Sequence, residues 1–280
     1  MTGAALAISE QLAAELAANA RPDPRSLPVR YSHMRSMARS PAHALHAMQH
    51  DYEATLSMRI GKGAHSLLLG GPPVLCCPTK QRRGKDFDAW FATQPSDAIV
   101  LSKKEHARAI AIHAAVSSNT LARQVLTVPG TLFEDTIIWE QSGRARRSTP
   151  DARTRDHVVE LKTCRDASPD RFRWDVARMG YDGQLADQAE AMRFINGVAP
   201  RRCYIIAVEN NPPHLCTVRL LTDGTIERAT KRNAQWLSQL LECEQTGKWP
   251  GYSDQILDLD VPDQNMELVF DESDDEEVDD

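Results

Sequence analysis

Asp151, Glu160 and Lys162 are the residues whose types and spacing could do chemistry together. Pro150-Asp151 is followed, after eight residues, by Glu160-Leu161-Lys162. Two neighbouring antiparallel strands would carry this set, with Asp151 at the end of one and Glu160 inside the next. Their carboxylates can then converge on one divalent cation. Lys162 lies two positions beyond Glu160, and the strand period of two puts both on one face. Hard oxygen donors with open positions suit Mg²⁺, with Mn²⁺ as a substitute. Such an ion activates a water and offsets charge on a phosphate, and a lysine beside it can hold the water or stabilise that charge. The same spacing also arises by chance, with charges on an exposed strand face as the plain alternative. Val158-Val159 before Glu160 argues for chemistry, because an apolar strand that turns charged is a conflict expected at a site.

The elements that must position these residues can be read from pattern. Residues 8–19 predict an amphipathic helix, and 20–30 a Pro-rich linker. Ser32 is expected to cap a short helix and Ser40-Pro41 to start the next. Helices are predicted over 55–69, 85–92 and 103–122, the last capped by Ser102. Residues 131–140, 144–151 and 156–162 read as strands of a meander, with Gly143 at a turn. Helices at 168–179 and 182–196, strands at 203–209 and 215–221, and a long helix at 223–246 complete the pattern. The expected fold class is α/β, a central mixed β-sheet flanked by helices. The expected division is residues 1–28 as a helix and linker, 29–252 as the functional domain, and 253–280 as an acidic, disordered tail.

Bulk properties narrow the function classes. Hydrophobic residues make up 41% of the 280, enough to bury a sizeable core. No apolar run approaches the ~20 residues of a membrane span, and the Ala-rich start lacks the basic region of a signal peptide, so a cytoplasmic protein is expected. The six cysteines include no C-x-x-C pair, which argues against a zinc ribbon. The last ten residues hold eight acids and no base, so the net charge of −6 becomes +2 without them. Arg144, Arg146, Arg147, Arg153 and Arg155 fall within twelve positions. A basic body with an acidic appendage suits a polyanion ligand.

Several motifs in order resemble one family. Thr149-Pro150-Asp151, His157-Val158-Val159-Glu160-Leu161-Lys162-Thr163, Asp166-Ala167-Ser168-Pro169 and Gly180-Tyr181-Asp182-Gly183-Gln184 look like the nuclease domain of the RecE (exonuclease VIII) family. That family belongs to the PD-(D/E)XK superfamily, related to lambda exonuclease and RecB-type nucleases. Tyr31-Ser32 and Gly61-Lys62-Gly63-Ala64-His65 extend the likeness upstream, so it covers roughly residues 29–250. The resemblance implies a restriction-endonuclease-like core with Asp151, Glu160 and the Leu161 carbonyl as metal ligands and Lys162 as the catalytic lysine. It also implies His65 at a second metal position, Glu134 as an extra acid and Gln184 as an orienting residue, with two Mg²⁺ ions per site. The related Q-x-x-x-Y pattern ends here in Gln188 instead of Tyr, which leaves the role of position 188 open. Glu160 stands where the family usually has Asp.

A phosphodiesterase must also hold its substrate, and Arg144, Arg146, Arg147, Arg153 and Tyr181 are the expected DNA contacts. The resemblance implies a 5′-to-3′ exonuclease on linear double-stranded DNA that leaves 3′ single-stranded tails for phage-type recombination in a bacterial or phage-infected cell. It further implies a ring-shaped trimer or tetramer and a single-strand annealing protein as partner. A structure-specific endonuclease, or a DNA-binding module that has lost catalysis, are the alternatives.

Overall fold

The computed structural model describes residues 23–50 and 55–260. The expected helix over 8–19 and the acidic segment 271–280 lie outside them. The described helices are α1 (Tyr31–Ser36), α2 (Pro41–Gln49), α3 (Leu56–Leu69), α4 (Lys85–Phe91), α5 (Lys103–Ser118), α6 (Thr120–Leu126), α7 (Pro169–Met179), α8 (Tyr181–Asn196) and α9 (Asp223–Thr246). The strands are β1 (Val74–Cys76), β2 (Ile99–Leu101), β3 (Leu132–Phe133), β4 (Ile137–Gln141), β5 (Arg144–Ser148), β6 (Ala152–Arg153), β7 (His157–Cys164), β8 (Arg202–Glu209) and β9 (Cys216–Leu220).

Strands β7 and β8 are rich in Val and Ile and apolar on both faces, the signature of strands covered on two sides. They form the centre of a five-stranded sheet in the order β3-β6-β7-β8-β9. β7 runs parallel to β8, and the other pairs are antiparallel, so the sheet is mixed. The crossover from β7 to β8 is made by α7 and α8. Alternation along β7 separates two cores. Val159 and Leu161 pack with Ile60 and Ala64 of α3 and Ala109 and Ile112 of α5. Val158 and Cys164 pack instead with Phe172 of α7 and Leu185 and Met192 of α8. A third cluster joins Val29, Tyr31 and Met34 to Leu237 and Leu240 of α9.

The α/β class and mixed sheet match the expectation, while several boundaries differ. The helix expected over 103–122 breaks at Asn119, whose side chain accepts from the Ala122 N–H at 3.0 Å and donates to the Cys216 carbonyl at 2.9 Å. An Asx cap thus ends one helix and starts another. α1 begins at Tyr31, so Ser32 lies inside it and does not cap it. The strand expected over 131–140 is interrupted at Glu134, which takes φ +46° and donates its N–H to the Asp151 carbonyl at 3.0 Å. β3 therefore joins the main sheet, and β4 pairs with β5 in a separate hairpin. The short parallel pair β1–β2 was not anticipated.

Candidate active site

The site forms where β6 stops. β6 pairs with Val158 and Val159 of β7 and no further. Continuing that register by one residue sets Asp151 opposite Glu160. The edge of β7 beyond Val159 thus lacks a strand partner on this side. Asp151 fills the gap, its Oδ2 accepting the Leu161 N–H at 2.6 Å. α3 brings His65 to the same carboxylate, Nδ1 lying 3.4 Å from Oδ1. The helix can come this close because of its glycines. A Cβ on Gly61 would meet Thr163 Oγ1 of β7 at 3.2 Å, and one on Gly63 would meet Leu101 Cδ1 at 2.7 Å.

Glu160 reaches toward α8, whose Gln184 and Gln188 donate to it. It is 3% exposed. Lys162 Nζ donates to its Oε1 at 2.8 Å, Gln184 Nε2 to the same oxygen at 2.5 Å, and Gln188 Nε2 to Oε2 at 2.6 Å. Lys162 Nζ also donates to Gln184 Oε1 at 3.0 Å and sits 4.9 Å above the Tyr181 ring. Residues 184 and 188 are one turn apart and share a helix face, so α8 grips both oxygens of one carboxylate.

Electrostatics follow from this packing. Burial, and then the charge of Asp151, push the Glu160 carboxyl above the ordinary glutamate range despite Lys162 and Gln188. Burial opposes the Asp151 carboxylate too, but the His65 ring, Lys162 and the Leu161 N–H outweigh it and hold its pKa down. For Lys162, desolvation is more than offset by Glu160 and Asp151, and the ammonium is held above its ordinary value. Two buried carboxylates that raise one of their own pKa values are a place where a cation relieves repulsion.

The donor chemistry fits a hard divalent ion: two carboxylates at a strand edge, with a backbone carbonyl beside them. In a strand the N–H and C=O of one residue face the same edge, and the Leu161 N–H faces Asp151. Among the described residues no three His, Cys, Asp or Glu side chains are grouped so that they could hold a metal ion by themselves. Mg²⁺ keeps several waters and binds through one or two carboxylates, so a full cage is not required.

The remaining expected residues divide. Arg144 is buried, its Nε 3.1 Å from Glu244 and its Nη2 2.7 Å from the Pro24 carbonyl. Arg146 is 2% exposed, paired with Asp187, bonded to Gln141 and stacked over Trp139. Neither has a face left for DNA, so these two expectations are corrected: the basic run is partly internal because acids from α8 and α9 pair with it. Arg153 is held by Asp135. Arg147 alone of the four lines a cleft of about 290 Å³ beside the site, with Arg30, Ser32, Thr149, Gln184 and Gln188. Tyr181 lies half-buried beneath Lys162. Glu134 is exposed, and only its backbone touches the site. Sequence reasoning left Gln188 open; its spacing of four from Gln184 was the available signal.

Residues 31–259 match the family described as PDDEXK-like domain of unknown function (DUF3799). The chain belongs to that family. The PDDEXK-like architecture recurs in a crystal structure of a presumptive exonuclease from Eubacterium rectale. It is 14% identical, with a TM-score of 0.60, covering 84% of this chain and 91% of that one. An alkaline exonuclease from Laribacter hongkongensis is 14% identical and covers 78% of this chain and 90% of that one, with a TM-score of 0.29, too low to bear on the argument. A search of curated protein sequences gives no significant match. No described helix of this PDDEXK-like chain is long and apolar enough to cross a membrane.

Proposed function

We propose that this protein is a metal-dependent deoxyribonuclease that hydrolyses phosphodiester bonds at Asp151, Glu160 and Lys162. The observation that carries the reading is the meeting of these three side chains at the β6–β7 edge, with Lys162 Nζ 2.8 Å from Glu160 and Asp151 fixed on the Leu161 N–H. Asp151, Glu160 and the Leu161 carbonyl would hold Mg²⁺ or Mn²⁺, and His65 would serve a second ion. When bound, such an ion supplies an acidified water and a counter-charge for the phosphate. Lys162, kept protonated by Glu160, presents a fixed positive charge to the oxygens of the phosphate as negative charge builds on them. Gln184 ties that ammonium to Glu160 and so fixes where the charge stands. Arg147 and Arg30 at the adjoining cleft offer partners for the neighbouring backbone.

The finer features rest on the resemblance to RecE-like nucleases and are proposed with it: exonucleolytic action, 5′-to-3′ on linear duplex ends, in a ring-shaped trimer or tetramer beside an annealing protein in the cytoplasm of a bacterial or phage-infected cell. Incubation of the purified protein with linear and with closed circular duplex, with Mg²⁺ or with chelator, tests the reading. Loss of linear DNA alone, only with metal, is expected, and Asp151→Ala should abolish it while remaining folded. Cutting of circles would point to an endonuclease. Binding without any cutting would point to an inactive module and overturn the reading.

A further inference from the structure

The loop between β1 and α4 carries Lys80, Arg82 and Arg83, and α4 begins at Lys85, so four cations fall in six positions with no acid among them. The loop borders a groove of about 430 Å³ lined also by Arg59 of α3 and by Ser102 and Glu105 at the start of α5. Glu105 is 3% exposed and anchors this region. Its carboxylate accepts from Arg82 and from Arg59 Nε, the latter at 3.0 Å, and from the Ser102 N–H at 2.6 Å. The Cys77 N–H donates to the Leu101 carbonyl at 2.7 Å and fixes where the loop departs. One buried acid therefore pins the base of the loop. Lys80, Arg83 and Lys85 are exposed, and among the described residues they reach no carboxylate; Arg83 Nε meets only Gln81, at 3.0 Å. Arg144 and Arg146 are internal and paired with acids, whereas these three stand together at the surface beside the groove.

Helix α3 links the groove to the site. Arg59 lies at the groove and His65 beside Asp151, six residues further, or about 9 Å along the helix axis. That separation corresponds to roughly three nucleotide steps of a DNA strand.

We propose that the groove lined by Lys80 and Arg83, with Lys85 exposed two positions further along the chain, binds the phosphate backbone of the DNA a few nucleotides from the bond being cut. The assignment rests on the nuclease reading above. It makes Arg82 and Glu105 positioning residues for the loop, and Lys80, Arg83 and Lys85 the groups that touch phosphate.

The test is the combined variant Lys80→Ala/Arg83→Ala/Lys85→Ala, assayed for binding to a short duplex without divalent cation, so that nothing is cut. A control with the same loss of charge is Arg228→Ala/Lys231→Ala/Lys248→Ala. Each phosphate contact contributes about 0.9 to the slope of log affinity against log salt, so the loop variant should be shallower by roughly 2 to 3, with an unchanged melting temperature. The control should keep the wild-type slope. An unchanged slope in the loop variant, or an equal fall in both variants, overturns the proposal. Cleavage by the wild type is scored separately. If it cuts no DNA with any cation but the loop variant still loses binding, the nuclease reading falls and the groove stands. If it cuts DNA and the loop variant keeps its slope, the groove alone falls.

Discussion

Glu160 accepts hydrogen bonds from three side chains, and each partner implies a different loss. Lys162→Ala removes the positive charge while leaving both carboxylates. The single-turnover rate at saturating DNA should fall about 10²- to 10³-fold, with DNA affinity nearly unchanged. A variant that loses only affinity would make Lys162 a binding group. Gln188→Leu keeps the packing but frees Glu160 Oε2. Mn²⁺ affinity measured by calorimetry should fall about 10- to 100-fold, as for groups that orient a ligand; unchanged affinity would make Gln188 a packing residue. The acidic pair and the lysine were legible in sequence because strand spacing alone sets them together. Gln188 was not, since it was read against the tyrosine of a related pattern. The burial of Arg144 and Arg146 was also hidden, because their acids, Glu244 and Asp187, lie 100 and 41 positions away. That second pair carries a pH signature. Burial raises the Asp187 carboxyl to about 6 from 3.8, with Arg146 only partly opposing it. The folded state then binds a proton more tightly than the unfolded one. The group's contribution to stability is full below the unfolded value and is lost as pH rises through about 6, a change on the order of 2–3 kcal/mol. Melting temperatures of wild type and Asp187→Asn across that window should show the extra downward slope in the wild type only; parallel curves would refute it.

At the scale of elements, α8 is the helix on which the site depends, and its entry is fixed by an aromatic ring. The Tyr31 hydroxyl donates to the Gly180 carbonyl at 2.7 Å. A Cβ added at Gly183 would meet Tyr31 Oη at 2.3 Å and Cε2 at 2.8 Å. Gly183→Ala should therefore push α8 and Gln184 away from Glu160. The cost should be about 1–3 kcal/mol in urea unfolding, with activity reduced more than stability alone explains. Adding Tyr31→Ala, which removes the ring, should restore part of the activity; a double variant no better than Gly183→Ala would show that the clash is not the cause. Long helices and the β-branched strands β7 and β8 were readable because period and composition agree over many residues. The breaks were harder. Asn119 splits a helix through a side chain that also reaches Cys216, and Glu134 splits a strand because its N–H is claimed by Asp151. The three-residue strands β1 and β2 are too short to show a period.

Over the whole molecule, the two cores on either face of the sheet make β7 rigid, and the third cluster brings the beginning of the described chain to its later helices. Val29 bonds to β5 through its N–H to the Ala145 carbonyl and its carbonyl to the Arg147 N–H, and Tyr31 then reaches Gly180 across 149 positions. During synthesis that stretch leaves the ribosome long before α8 and α9, which cover it, are made. At 5–20 residues per second, Tyr31 waits roughly 7 to 30 s for Gly180 to be polymerised. Met34 and Met37, buried in the finished protein, are meanwhile apolar surface without a partner. Nascent chains stalled before residue 180 should accordingly hold this segment open to proteases and to chaperones that grasp apolar peptides, and chains stalled well beyond α9 should not.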